Sequence, residues 1–461
     1  MKLPDTWHIV WHYMLTLYRQ RWVLRDRRRL EAWQEKRIRR QVRSVRAQSA
    51  FYRAWWAERP EDAWRSYPVI DKSVMMEHLD QLNTARIGKQ EAMELAVEAE
   101  RTREFTPTIG EVTVGLSSGT SGHRGLFLVS RRERLAWAGT VLAKILPGPL
   151  LGRHRIAFFL RANSNLYGSV GSRRIQFQFY DLLDPIEEHV ARLCGQQPSL
   201  LVAPASMLRL LADMKRAGRL PLHPQKLVSV AEVLDPLDRR IIEGAFGQPV
   251  HQVYQCTEGF LAATCAHGTL HLNEDIVYVQ KEYVDRDAGR FVPILTDFSR
   301  TTQPIVRYRL NDLLTERREP CPCGSPLTAI ERIEGRCDDI FAFRAAGGDR
   351  LIPIFPDFIT RALLAASPEI TAYHAVLHAP DRLVVALEID DTCRDAAQAA
   401  VVKSLQALCE RTGTVLPAVD FEAYRHVSGE RKLRRVERRF TLDSEWVLEC
   451  NKEREGKCAL G

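Results

Sequence analysis

No stretch of this 461-residue chain is apolar over anything near the ~20 residues that a membrane-spanning helix needs. The nearest candidate, His8–Tyr18, is short and is interrupted by two histidines and a threonine. Also missing is a charged start followed by a clean apolar run and a small-residue cleavage site, which argues against a secretory leader. Ten cysteines are few for the length and follow no regular spacing, so no disulfide framework is read and a reducing compartment is expected. Internal repeats and low-complexity linkers are absent. With 45% hydrophobic and 27% charged residues, the chain can instead bury a large core in two or three domains of a soluble, cytoplasmic protein.

Acidic residues are scarce at the start. Residues 1–50 hold 13 Lys/Arg against 4 Asp/Glu, a local +9 that leaves the rest of the chain at −1. A nucleic-acid binder would interleave basic groups across its body as well, so no nucleic-acid partner is expected; the run reads as a solvated helix face. Apolar residues still recur through 7–58 at spacings of three to five, from Trp7, Trp11 and Met14 to Leu30, Ile38 and Val45. That pattern predicts helix with one buried stripe. The aromatic end, Ser49–Trp56, needs a partner surface, and Asp71 is placed to cap a further helix.

From about residue 111 short β-rich runs alternate with helices: strands 155–160, 175–180, 200–203, 226–231 and 250–254, helices 185–193, 206–217 and 236–246. Alternation of this kind predicts an α/β layer structure with parallel pairing. The last hundred residues read as a separable α+β unit, with a hairpin at 373–378 and 383–389, a helix at 393–412 and a strand at 419–424.

Within this frame Gly115-Leu-Ser-Ser-Gly-Thr-Ser-Gly-His-Arg-Gly125 packs glycines and hydroxyls between two strands. Freed backbone N–H groups beside hydroxyls suit phosphate oxygens, although an ordinary Gly/Ser hairpin has the same composition. It lacks the Gly-Lys-Ser/Thr ending and following helix of a Walker loop. Four further signals follow: Val253-Tyr-Gln-Cys-Thr-Glu258, Pro304-Ile-Val-Arg-Tyr-Arg-Leu-Asn-Asp312, Glu334-Gly-Arg-Cys-Asp-Asp339 and Ser428-Gly-Glu-Arg-Lys-Leu-Arg-Arg-Val436. Each taken alone has a bland counterpart in a helix cap, a surface carboxylate or a solvated basic run.

In order and spacing these five stretches resemble the signatures of the adenylate-forming superfamily, and within it the phenylacetate–CoA ligase and coenzyme F390 synthetase-like (CapK-like) branch. The resemblance covers roughly residues 40–440. It implies a large multi-layer α/β N-terminal domain of sheets and helices with a small hinged α+β C-terminal domain. In that division, 1–110 is a helical region packed on the main domain, 111–337 the core, and 338–461 the small domain, hinged near Asp338-Asp339. It implies that Ser117, Ser118, Gly119, Thr120, Ser121 and Gly122 cradle the ATP phosphates and that Glu258, following Thr257, holds Mg²⁺. Asp312 would bind the ribose hydroxyls with Arg336 nearby, and Tyr254 and Glu232 would flank the adenine. Lys432 would stabilise charge as the acid and the α-phosphate react.

The implied reaction joins a carboxylic acid, aromatic by resemblance, to ATP and then to CoA or another acyl acceptor. Transfer of AMP to a phenolic hydroxyl, or a non-catalytic nucleotide-binding scaffold docking through its basic helix, are the alternatives. Oligomeric state is open, a dimer included. The chain departs from the family at His123-Arg124, where Pro-Lys is usual, and at Asn311 and Arg431, where glycine is. Lys432 is aligned by its spacing to Val436, with Arg431 its competitor.

Separately, Cys265 and His271 with the tight pair Cys321 and Cys323 make a candidate Cys₃His zinc site, His267 being a substitute ligand and buried free thiols the alternative. Four protein ligands would make the zinc structural.

Overall fold

In the computed structural model, residues 5–117, 124–425, 433–442 and 446 are described. The phosphate-loop residues Ser118, Gly119, Thr120, Ser121 and Gly122, and Lys432, lie outside them. The protein is a mixed α/β structure with a large sheet-and-helix N-terminal domain and a smaller C-terminal domain. One long sheet runs through the large domain. Its parallel half is ordered Val250–Cys256, Lys226–Ser229, Leu200–Ala203, His154–Leu160, Ile175–Asp181. Its antiparallel half continues from Val250–Cys256 through Gly259–Thr264, Leu270–Leu272, Ala329–Arg336, Asp312–Glu316, Arg290–Asp297 and Val277–Asp285.

The predicted alternation matches element by element because its boundaries carry strong local signals. Helix Pro236–Phe246 starts at an Asp235 cap with proline in its first turn and stops at Gly247, whose φ is +68°. The basic N-terminal stretch differs from expectation. Helix α1 (Asp5–Tyr18) passes through a π-turn, Arg19–Val23, and is separated from α2 (Arg27–Gln48) by Asp26. The Asp26 carboxylate accepts the Arg29 N–H at 2.9 Å, a cap hidden in the run of arginines.

The stripe expected to be buried is buried in α2 (Leu30, Ile38, Val42, Val45) but not in α1, where Trp7, Trp11, Met14 and Tyr18 face solvent. The aromatics of Ala50–Trp56 find their partner on the antiparallel half-sheet: Tyr52, Trp56, Trp64 and Tyr67 pack with Phe291 and Tyr308, and the Tyr52 hydroxyl donates to the Pro304 carbonyl at 3.0 Å.

A second core is built wholly from residues 341–436. The sheet ordered Ala418–Ala423, Arg382–Glu388, Ala372–Ala379, Val436–Arg438 packs against helices Pro356–Ala366 and Arg394–Thr412. This small domain closes onto the large one through buried polar contacts. Arg435 grips Asp238 at 2.6 and 2.7 Å, and the Tyr373 hydroxyl donates to Asp235 at 2.6 Å.

Candidate active site

A cavity of 1210 Å³ opens where the C-terminal ends of the parallel strands, the antiparallel half-sheet and the small domain meet. A crevice outside the carboxyl ends of parallel strands is where α/β sheets bind ligands. Ser117, Glu232, Tyr254, Thr257, Glu258, Asp312 and Arg336, far apart in sequence, all line it.

The phosphate-loop hairpin is formed by Val112–Leu116 and Leu126–Ser130. Its neck is closed twice, by the Ser117 N–H on the Gly125 carbonyl and the Gly125 N–H on the Ser117 hydroxyl, both at 2.7 Å. Lys72 reaches the same hydroxyl at 3.2 Å from the first turn of helix Lys72–Glu77, which Asp71 caps by accepting the Val74 N–H at 2.9 Å. A Cβ on Gly125 would stand 2.9 Å from Cε of Lys72, so a larger residue there would displace that flexible side chain. Burial lowers the pKa of Lys72, with Glu258 opposing the shift and Arg336 adding to it. No sequence motif marked Lys72; only the fold brings it to the loop.

Thr257 and Glu258 are the two turn residues between Val250–Cys256 and Gly259–Thr264, since Cys256 pairs directly with Gly259. Such a turn projects Glu258 from the sheet rim into the cavity. Its carboxylate accepts the Tyr308 hydroxyl on Oε1 at 2.8 Å and the Thr257 hydroxyl on Oε2 at 2.9 Å. Each oxygen keeps a second lone pair. Burial and the adjacent Glu258 push the Tyr308 phenol far up, which keeps it a neutral donor. Tyr308, inside the 304–312 stretch, thus orients the carboxylate.

Asp312 and Arg336 are direct neighbours across the pair Asp312–Glu316 and Ala329–Arg336. The Tyr254 hydroxyl donates to Oδ2 of Asp312 at 2.5 Å. Asn311 donates to Asp338 at 2.6 Å. Asp339 is buried and paired with Arg434; burial pushes its carboxyl up to about 6 against the pull of that arginine.

Glu232 follows Ala231, which holds a left-handed φ of +68°. Its carboxylate accepts the Ser206 N–H at 2.9 Å and the Leu433 N–H at 3.2 Å. It therefore ties the large domain to the residue next after Lys432. Leu433 and Arg434 line the cavity as well.

Beyond the Glu258 rim one part of the cavity is apolar. Trp137, Phe158, Tyr167 and Phe177 form a chain of ring contacts with centroids 4.8 to 5.9 Å apart, and Val170 and Val202 complete the bowl. Phe179, two residues on from Phe177 in strand Ile175–Asp181, does not line it.

The four metal-ligand candidates meet elsewhere. Cys265, His271, Cys321 and Cys323 bring their ligand atoms within 4.8 Å of one another. Cys265 Sγ lies 3.7 Å from Cys321 Sγ, and Cys323 Sγ 3.4 Å from His271 Nε2. Bonds of ~2.3 Å to a tetrahedral ion put ligand atoms about 3.8 Å apart, so the set fits zinc. His271 Nδ1 sits 3.0 Å from the Leu327 carbonyl, and the tautomer that donates there turns the Nε2 lone pair toward the thiols.

No family model matches the sequence, and no curated protein matches it. Solved structures do. A 2-hydroxyisobutyryl-CoA ligase in its postadenylation state aligns over 95% of this chain and 94% of its own at TM-score 0.69 and 19% identity. The acyl acid amido synthetase AtGH3.15 aligns over 98% and 97% at TM-score 0.59 and 13% identity. The amide bond synthetase McbA from Marinactinospora thermotolerans aligns over 71% and 69% at TM-score 0.50 and 16% identity. The chain shares the fold of these ligases and synthetases.

Proposed function

We propose that the protein is an ATP-dependent enzyme that activates a carboxylic acid as its acyl-adenylate and passes the acyl group to CoA. One observation carries this reading: Ser117 with Lys72, Glu258, the Asp312–Arg336 pair and the segment starting at Leu433 converge on a single cavity with an apolar bowl beside them. A carboxylate oxygen of the acid attacks the α-phosphorus, the bond to the β-phosphate breaks, and pyrophosphate leaves. The CoA thiolate then attacks the acyl carbon and AMP departs.

Lys72 and the loop at Ser117 would neutralise the leaving phosphates. Asp312 would accept both ribose hydroxyls, held in place by Tyr254, whose phenol is kept neutral by burial and by Asp312 itself. Glu258, oriented by Tyr308, would hold Mg²⁺, which when bound supplies positive charge to the phosphates. Glu232 would set the segment at Leu433 against the cavity, placing Lys432 by its neighbour. A structural zinc held by Cys265, His271, Cys321 and Cys323 is part of the same reading.

The ring-lined bowl of Trp137, Phe158, Tyr167 and Phe177 supports an aromatic acid, for which rings give area and edge contacts. An amine in place of CoA is the second reading, prompted by the amide-forming neighbours. Pyrophosphate release is measured across benzoates, phenylacetates and fatty acids, then AMP release with CoA or with amines. Larger kcat/KM for fatty acids than for any aromatic acid would overturn the substrate class, and release of AMP with amines alone would overturn the acceptor.

A further inference from the structure

Helix α1 carries apolar side chains on two opposite sides. The inner side is closed. Tyr13 and Thr16 are buried, and α1 passes so close to helix Arg131–Ile145 that a Cβ on Gly139 would stand 2.4 Å from the Ile9 carbonyl oxygen. The outer side bears Trp7, Trp11, Met14 and Tyr18, one stripe at helical spacing, exposed by 63%, 65%, 57% and 57%. Trp22, in the π-turn that follows, is 51% exposed. An exposed aromatic stripe of this extent marks a surface that something covers.

The charge around it is mostly positive. Arg21, Arg25 and Arg28 are exposed, with the Arg25 guanidinium 4.8 Å from the Trp22 ring centroid. The acids of this stretch are Asp5, which pairs with Arg131 at 2.6 Å, and Asp26, which caps α2. A second copy meeting this stripe about a two-fold axis would set the arginines of both copies, which outnumber the neighbouring acids Asp26 and Glu31, against one another. An anionic bilayer meets the same pattern favourably. Indole and phenol rings settle at headgroup depth, and arginines reach lipid phosphates. No helix among the described residues is long and apolar enough to cross a membrane, so α1 would lie in the interface plane.

We propose that α1 docks the protein on an anionic lipid surface, with Trp7, Trp11, Met14, Tyr18 and Trp22 at the headgroup–acyl boundary and Arg21, Arg25 and Arg28 on the phosphates. The inner face, fixed by Gly139, keeps the helix on the body of the protein while the outer face engages lipid.

The full chain, without ATP or acid, is sedimented with vesicles of phosphatidylcholine alone and of phosphatidylcholine with about one-third phosphatidylglycerol. Binding to the anionic vesicles is expected to exceed the neutral ones about tenfold, with a blue shift of tryptophan emission. Trp7→Ser/Trp11→Ser/Trp22→Ser and, separately, Arg21→Glu/Arg25→Glu/Arg28→Glu should each reduce it about tenfold at an unchanged melting temperature. The arginine variant alters only exposed groups and carries the test where the tryptophan variant folds poorly. No anionic binding, equal binding by wild type and variants, or a dimer that the tryptophan variant dissolves in place of vesicle binding overturns the proposal. Since no substrate is present, the outcome is independent of the reaction assigned to the cavity.

Discussion

Arg435 of the small domain and Asp238 of helix Pro236–Phe246 form a two-pronged ion pair, and their side chains are 9% and 1% exposed. Burial disfavours the guanidinium cation, but Asp238 and then Asp235 more than reverse this and raise its pKa. Asp238→Ala would leave a buried cation with its principal partner gone, a loss of about 3 kcal/mol. Because Arg435 lies three residues past Lys432, adenylation should fall along with the melting temperature. Calorimetry and pyrophosphate release check this; unchanged values in both would show that the docked arrangement does not depend on the pair.

Lys432→Ala should slow adenylation roughly a hundredfold or more, as removal of one preorganised charge does. Thioester formation from synthetic acyl-adenylate and CoA should be nearly untouched. Asp312→Ala should impair both steps, since ribose binding serves each. Equal impairment of both variants in the second step would sink the division of labour, and normal adenylation by Lys432→Ala with loss in Arg431→Ala would reassign the lysine.

Metal analysis should find about one zinc per chain, and Cys321→Ser/Cys323→Ser should lower the melting temperature. Absence of metal together with an unchanged melting temperature in that variant would leave three free thiols packed around a histidine.

Glu437 provides a pH test of the small domain. His374 Nε2 stands 3.5 Å from it and Arg434 and Arg439 lie nearby, so despite its burial its carboxyl is held at about 2 from an ordinary 4.5. A depressed carboxylate contributes stability above pH ~4.5 that is lost as pH falls toward ~2. Melting temperatures between pH ~5 and ~2.5 should therefore fall less steeply for Glu437→Gln than for the wild type. Parallel curves would assign the acid lability to other groups.

Local signals explain what could be read from the sequence. Leu200–Ala203 and Pro236–Phe246 coincide with their expected bounds because prolines, a cap and Gly247 punctuate them. Tyr254, Glu258, Asp312 and Arg336 sit in short motifs whose spacing survives without tertiary information. Lys72 escaped because its relevance comes from a partner 45 residues away, and Tyr308, although inside the 304–312 stretch, takes its role from a carboxylate 50 residues away. In α1 the apolar period was visible, but period alone does not say which of two faces a neighbour covers; the Gly139 contact decides that.

Asp312 and Arg336 stand at the open end of a strand pair whose connecting loop carries Cys321 and Cys323. Five residues of strand put about 15 Å between the cavity and the clamp, and two bulges interrupt the ladder on the way. The hairpin is thus a beam supported at its far end by the thiol cluster. With zinc in that cluster as proposed, a chelator would act as an inhibitor at a distance, loosening the proposed hold on the nucleoside while leaving the reacting atoms alone, and its signature would be a raised KM for ATP with kcat largely retained.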